Sequence, residues 1–442
     1  MGLDIDIGWL TLLMFGSLLA LLMAGLPLAF VTGGLACVFL FLVGDAQMLN
    51  MVPSRIFPLM TDYQLSAIPL FIFMAAMLER AGLIQEMFDV IYKLLGGVRG
   101  GLASATILAS TILAAMVGVI GAAVVTMGII ALPAMLRRQY DPKIAMGSIM
   151  AGGTLGILIP PSILAIIYAV VAEQSVGELF IGAVLPGLLL SGMYIVYISL
   201  RCLFQPSLGP ALPEDERIGL AEKVRLLREM LAPIILVALV LGVIFTGVAT
   251  PVEAAGIGTF GSFIVAALHR RLDWITIREA CLTTLKASAM VLWIIFGATV
   301  FVGLYVIQGG QQFVEGALTG LGLGPWGILI VMMIILIILG MFLDWVGILL
   351  LCVPIFVPII KNLGFDPLWF GVLYLVNMQM SFLSPPFGYA LFYLRGVAPP
   401  EIPMVTIFKS ALPFLAIQAI GLGLCMAYPP IITWLPRLVY GP

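Results

Sequence analysis

The side chains able to do chemistry in this sequence gather around two pairs of adjacent prolines. One segment reads Gly152-Gly153-Thr154-Leu155-Gly156-Ile157-Leu158-Ile159-Pro160-Pro161-Ser162, the other Asn377-Met378-Gln379-Met380-Ser381-Phe382-Leu383-Ser384-Pro385-Pro386-Phe387-Gly388. Proline lacks a backbone N–H and interrupts a helix, and it biases its predecessor away from helical dihedrals. Each pair therefore frees main-chain carbonyls, the oxygen ligands that hard cations prefer. A kink with glycines for close helix packing is the plainer reading of either segment alone. Asn377, Gln379, Ser381 and Ser384 are costly in lipid unless they meet a partner or a polar cavity. For Asn377 and Gln379, a hydrogen bond between helices and contact with a ligand are both open.

A charge joins this set. Asp344 stands in Gly340-Met341-Phe342-Leu343-Asp344-Trp345-Val346-Gly347, between two apolar arms. An ionisable group at such depth is a functional hypothesis by default. It also suits the N-cap of the returning arm, where a carboxylate accepts from free N–H groups. The matching turn of the first half is Val117-Gly118-Val119-Ile120-Gly121-Ala122-Ala123, with no side-chain oxygen before Thr126. Cation ligands there would be mainly carbonyls, with Gly118 and Gly121 supplying the turn. Glu253, after Pro251, reads as a helix-end carboxylate, and His269 beside Arg270 and Arg271 as a boundary anchor.

The spacing of these groups repeats. Pro133-x7-Asp141-Pro142-x17-Pro160-Pro161 recurs as Pro358-x7-Asp366-Pro367-x17-Pro385-Pro386, offset by 225 residues throughout a chain of 442. Broken helices inside a bilayer are tolerated only where the freed backbone is buried or lines a cavity. A pair of them at matching places in two halves points to a transporter binding site.

The elements that must hold these groups are membrane helices. The hydrophobic fraction is 62% and the charged fraction 10%, against about 45–50% and about 25% in soluble domains. Strand-type alternation is absent, so an all-α polytopic membrane protein is expected. Each half reads as five crossings and one re-entrant hairpin. The first has crossings near 9–24, 27–44, 64–80, 143–172 and 178–202, with a hairpin near 102–136. The second has crossings near 231–247, 251–268, 283–307, 367–394 and 404–427, with a hairpin near 326–360. Amphipathic connectors fall near 83–95 and 309–321. Five is odd, so the second half enters upside down, giving an inverted-topology repeat of about ten spans, two hairpins and two broken helices. Repeats 1–204 and 231–442 are joined by a cytoplasmic linker at 205–230, helical over 214–229. With both termini outside, only Arg55, Lys361 and Arg437 of the 20 basic residues are external, as the positive-inside rule requires. Asp4 and Asp6 precede the first span without the basic start of a signal peptide, so that span is expected to stay.

Other functions lack their residues. No GxxxxGK[ST] occurs to hold a nucleotide phosphate, and no HExxH or nucleophile–base constellation marks an enzyme. The five cysteines show no CxxC or Cys/His cluster, so neither a disulfide framework nor a metal cofactor is expected. No basic stripe implies nucleic acid.

GTLGILIPPS, LGMFLDWVGILLLCVPIFVPI and SFLSPPFGYALFYLRGVAP together resemble the large membrane subunit, DctM type, of tripartite ATP-independent periplasmic (TRAP) transporters of the ion transporter superfamily. The likeness covers nearly the whole chain. It implies an elevator-type secondary active transporter in the bacterial inner membrane. It also implies a small four-helix membrane subunit and a soluble periplasmic solute-binding protein as partners. Sodium ions would drive uptake of a small organic anion of the carboxylate class. A stand-alone sodium–dicarboxylate symporter of the same superfamily is the alternative. The family's sodium sites map to Gly118 and Gly121 with Gly153 and Thr154, and to Asp344 and Gly347 with Met378 and Ser381. Many relatives carry a serine-rich first tip, where this chain has Gly118-Val119-Ile120-Gly121. Ser162, Asn377 and Gly388 are the residues expected to meet solute.

Overall fold

The computed structural model describes residues 5–44, 46–117, 120–213, 219–386 and 388–441, and every regular element among them is helical. The chain runs through α1 (Ile7–Met23), α2 (Leu28–Val43), α3 (Met51–Met60), α4 (Ala67–Arg80), α5 (Leu83–Leu95), α6 (Gly101–Val117), α7 (Ile120–Arg137), α8 (Pro142–Thr154), α9 (Ile163–Ala172) and α10 (Val176–Phe204). A linker helix α11 (Leu220–Glu229) follows. The chain continues through α12 (Leu231–Phe245), α13 (Pro251–Leu268), α14 (Trp274–Ile307), α15 (Gly310–Thr319), α16 (Pro325–Gly340), α17 (Trp345–Asn362), α18 (Pro367–Leu383), α19 (Tyr389–Arg395), α20 (Met404–Ala427) and α21 (Pro430–Tyr440).

Among the described residues, six helices are long and apolar enough to cross a membrane alone, or seven if the pair 47–60 and 64–80, bent by 64°, is one span. Two of the six, α7 and α17, are the return arms of the expected hairpins, so length by itself does not separate a crossing from an arm. Several of the expected ten crossings, α1, α2 and α12 among them, fall in the shorter apolar group of 10–17 residues.

The repeated Asp-Pro pairs have one physical job. Asp141 caps α8, its Oδ1 accepting from Lys143 N at 2.8 Å, and Asp366 caps α18 by accepting from Leu368 N at 2.8 Å. Pro142 and Pro367 take the first helical position, where a missing N–H costs nothing. Both broken helices therefore start with the same cap.

Three elements depart from expectation. α14 begins at Trp274 rather than near 283, because Asp273 caps it, accepting from Thr276 N at 2.6 Å. α3 and α21 were not anticipated; each carries an internal proline, Pro58 and Pro436, which masks helical periodicity. The linker is helical over 220–229, while 214–218 lie outside the described residues.

Two sets of helices pack closely, and α14 and α4 join them through α17 and α6. α14 crosses α2 and α4, and α4 packs on α13. In the other group α8 is held between α6, α7 and α20, and α18 lies against α16, α20 and α10. The halves are stitched inside this second group: the buried Tyr168 hydroxyl on α9 donates to Pro367 O at the head of α18, at 2.8 Å.

Candidate functional site

Both interruptions are present. α8 stops at Thr154, a 3-10 turn covers Leu155–Ile157, and α9 starts after Ser162. α18 stops at Leu383 and α19 starts after Gly388. Pro160-Pro161 and Pro385-Pro386 each carry a cis peptide bond.

The break residues close these gaps. Ser162 Oγ donates to Ile157 O at 2.5 Å and accepts from Ala165 N at 3.3 Å. In this conformation its hydroxyl is thus engaged by the break itself. At Gly388 a Cβ would lie 2.5 Å from Phe382 O and 2.9 Å from Ser384 O. Only glycine lets those carbonyls close over that position.

The hairpins press on the breaks through glycine. A methyl on Gly152 would lie 2.7 Å from the Ser110 side chain of α6, and one on Gly153 would overlap Val124 of α7. At the second break the arrangement is reversed: a methyl on Gly340, in the hairpin, would overlap Ser381 of the broken helix. Either way one side chain is missing where two backbones meet, the usual device of membrane helix contacts.

The polar side chains at the breaks are fully buried. Thr154 Oγ1 donates to Ala151 O at 2.8 Å and accepts from Gln418 Nε2 of α20 at 3.2 Å. Its proton is committed and one lone pair is left. Asn377 Nδ2 donates to Met333 O of α16 at 2.9 Å, which is the interhelical hydrogen bond, while its Oδ1 has no partner among the described residues. Ser381 Oγ lies 3.4 Å from both Leu336 O and Asn377 O, at the long limit of a hydrogen bond. Neither amide atom of Gln379 has a partner among the described residues. Met378 is buried and brings no side-chain oxygen, so only its carbonyl suits a hard cation.

At the tips, Asp344 is the N-cap of α17, its Oδ2 accepting from Val346 N at 3.2 Å. The capping role is therefore real. The carboxylate also takes a bond from the Trp345 backbone N–H. Gly347 faces Leu28 of α2, which a methyl would overlap, and Gly121 faces the Tyr393 ring of α19, 3.1 Å from a built Cβ. Gly118 lies outside the described residues.

Gly121, Asp344, Ile163, Phe382, Tyr389 and Tyr393 border one cavity of ≈ 90 Å³, faced by Ile72 of α4 and by Ala287, Met290 and Val291 of α14. Both tips and both breaks thus meet at one place. This volume has room for ions or a few waters. Gly153, Thr154, Ser162, Gly347, Asn377, Met378, Ser381 and Gly388 are not among its lining residues. Gln418 and Tyr389 were missed by sequence reading. The signal for Gln418 was available, since an amide in an apolar span is costly without a partner.

Residues 15–431 match the family model described as "Tripartite ATP-independent periplasmic transporter, DctM component". The C4-dicarboxylate TRAP transporter large permease protein DctM of Pseudomonas aeruginosa is 34% identical over 386 residues, 87% of this chain and 88% of that one. The protein of the same description from Vibrio cholerae serotype O1 is 31% identical over 426 residues, 92% of each chain. Among solved structures, the YdaH transporter of Alcanivorax borkumensis superimposes with a TM-score of 0.68 at 15% identity, over 95% of this chain and 99% of the other. That similarity is one of fold.

Proposed function

The chain belongs to the DctM component family of tripartite ATP-independent periplasmic transporters, and from that footing we propose that it is the membrane permease of a sodium-coupled, binding-protein-dependent importer of a small organic anion. The supporting observation is the convergence of Gly121, Asp344, Ile163 and Phe382, one from each tip and each break, on a single cavity. In this reading the Asp344 carboxylate and main-chain carbonyls of the tips and breaks serve an ion-sized space whose lining is otherwise largely apolar and aromatic. Such oxygens suit a hard monovalent cation.

In this reading the halves are inverted repeats with about ten crossings in the bacterial inner membrane and both termini periplasmic. The group around α6–α10 and α16–α20 moves as an elevator against the group around α2, α4, α13 and α14. Sodium binds at the tips through Gly118, Gly121, Gly153 and Thr154, and through Asp344, Gly347, Met378 and Ser381. Ordering of the tips then opens room for solute near Ser162, Asn377 and Gly388. The closed ≈ 90 Å³ cavity is the state before that opening. A small four-helix membrane subunit and a soluble periplasmic binding protein complete the system. C4-dicarboxylates are the substrates in the names of the relatives compared above, and a carboxylate is the solute class proposed here.

Reconstitution tests this. Proteoliposomes holding the chain and its small membrane subunit should take up a carboxylate only when a loaded binding protein is outside and an inward sodium gradient is imposed. Uptake by the chain alone would favour the self-sufficient symporter. Uptake indifferent to sodium would overturn the coupling.

A further inference from the structure

The tip cavity is small, and a larger one lies further along the same helices. It has a volume of ≈ 630 Å³, within the range of about 300–1,000 Å³ typical of small-molecule sites. Two walls face each other across it. Arg55 and Ser54 of α3 with Thr299 and Gly303 of α14 form one; Glu173 after α9 and Pro354 of α17 stand on the other. α9 and α17 begin at the tip cavity, with Ile163 and Trp345, and first reach this one at Val170 and Leu350, seven and five residues later. At 1.5 Å per residue the two cavities are about 8–10 Å apart along shared helices.

Arg55 is exposed and lines this space. Its guanidinium lies against the bare backbone of Gly303: a Cβ there would be 3.2 Å from Nε and 3.4 Å from Cζ. Any side chain at 303 would press on it. No ion pair or hydrogen bond of Arg55 is found among the described residues, and Glu173 across the cavity is beyond ion-pair distance. A planar, always-charged fork with free donors recognises a carboxylate or phosphate bidentately.

We propose that this cavity is an outer way-station where Arg55 holds a carboxylate of the solute before it reaches the tips. The idea deepens the transport reading above and rests on it for the word solute. A lipid phosphate offers the same oxyanion chemistry, so the test separates the two sources.

Ser54→Cys supplies a reporter on the wall, in a chain whose exposed Cys37 and Cys281 are changed to serine; Cys202, Cys352 and Cys425 are buried. The protein is placed in nanodiscs of phosphatidylcholine and labelled with N-ethylmaleimide, with millimolar succinate or chloride of equal ionic strength. Succinate at about nine times its dissociation constant should slow labelling about tenfold, because protection scales as one plus the ratio of free ligand to Kd. Arg55→Gln should abolish that protection and Arg55→Lys should keep part of it. Absence of protection, or protection that survives Arg55→Gln, overturns the proposal. So does protection by phosphatidylglycerol to which succinate adds nothing, which would assign the site to a lipid headgroup. Protection in a chain whose assembled complex shows no sodium-driven uptake would leave the anion site standing and remove the transport reading instead.

Discussion

Gln418 and Thr154 are 264 positions apart in sequence and joined by a 3.2 Å hydrogen bond in the core. The amide donates to the threonine hydroxyl, which in turn donates to Ala151 O. The lone pair that remains has a fixed direction. Gln418 thus sets the orientation of a hydroxyl proposed to bind sodium, much as outer-shell partners orient metal ligands. Its Oε1 makes no hydrogen bond of good geometry among the described residues, and the buried Tyr194 hydroxyl of α10 lies next to the same side chain.

Removing that orientation should weaken sodium binding without removing the ligand. Gln418→Leu is expected to raise the half-saturating sodium concentration by roughly 10-fold or more, the usual cost of losing an outer-shell partner. Thr154→Val should do at least as much. Sodium-dependent thermal stabilisation of the purified chain reads both without need of the partner subunits. An unchanged sodium requirement in Gln418→Leu beside a raised one in Thr154→Val would reduce Gln418 to a packing residue.

Asp344 carries two roles that substitution separates. Asparagine caps a helix about as well as aspartate, whereas alanine costs about 1 kcal/mol at such a position. Asp344→Asn should therefore keep the unfolding temperature near that of the parent and reduce sodium-dependent uptake. Asp344→Ala should lose both stability and uptake. Equal sodium dependence in the parent and Asp344→Asn, measured in proteoliposomes, would leave the carboxylate as a cap only.

The sequence carried this much of the site because its repeats are physical constraints. An Asp-Pro pair that caps a helix and a Pro-Pro pair that ends it are the same device used twice, and both are readable from residue identity alone. Asp344 was legible as a lone charge between apolar arms. Contacts made through absent atoms were not. Nothing in the residue order says that Gly153 meets Val124, that Gly340 meets Ser381, or that Gly303 leaves space for Arg55. Those pairings depend on how helices far apart in the chain cross. α3 was missed for another reason: two prolines within MVPSRIFPLM hide a helix that begins near one of them and tolerates the other.

Glu253 illustrates a charge whose plain reading holds. Its Oε2 accepts from Thr250 N at 2.8 Å while Thr250 Oγ1 accepts from Glu253 N at 3.3 Å, a reciprocal cap at the head of α13. Glu253→Gln keeps an acceptor in place and should leave the sodium requirement and the uptake rate at parental values. A changed sodium requirement in that variant would mean the carboxylate acts beyond the helix end.

The contact between Gly340 and Ser381 sets how closely the second hairpin approaches its broken helix. A methyl at 340 would overlap the serine side chain, which belongs to a fully buried position. Overpacking of this kind costs about 1–3 kcal/mol, so Gly340→Ala should lower the unfolding temperature in detergent and reduce uptake. The strain has a specific remedy, because the first break makes the same approach with the glycine on the broken helix. Ser381→Gly placed with Gly340→Ala transfers the glycine to that side and should recover most of the lost stability. If Ser381 is also a sodium ligand, the double variant regains its fold but keeps a raised sodium requirement. Recovery of stability and sodium dependence together would assign Ser381 to packing, and recovery of neither would show that the overlap at 340 does not lie with Ser381.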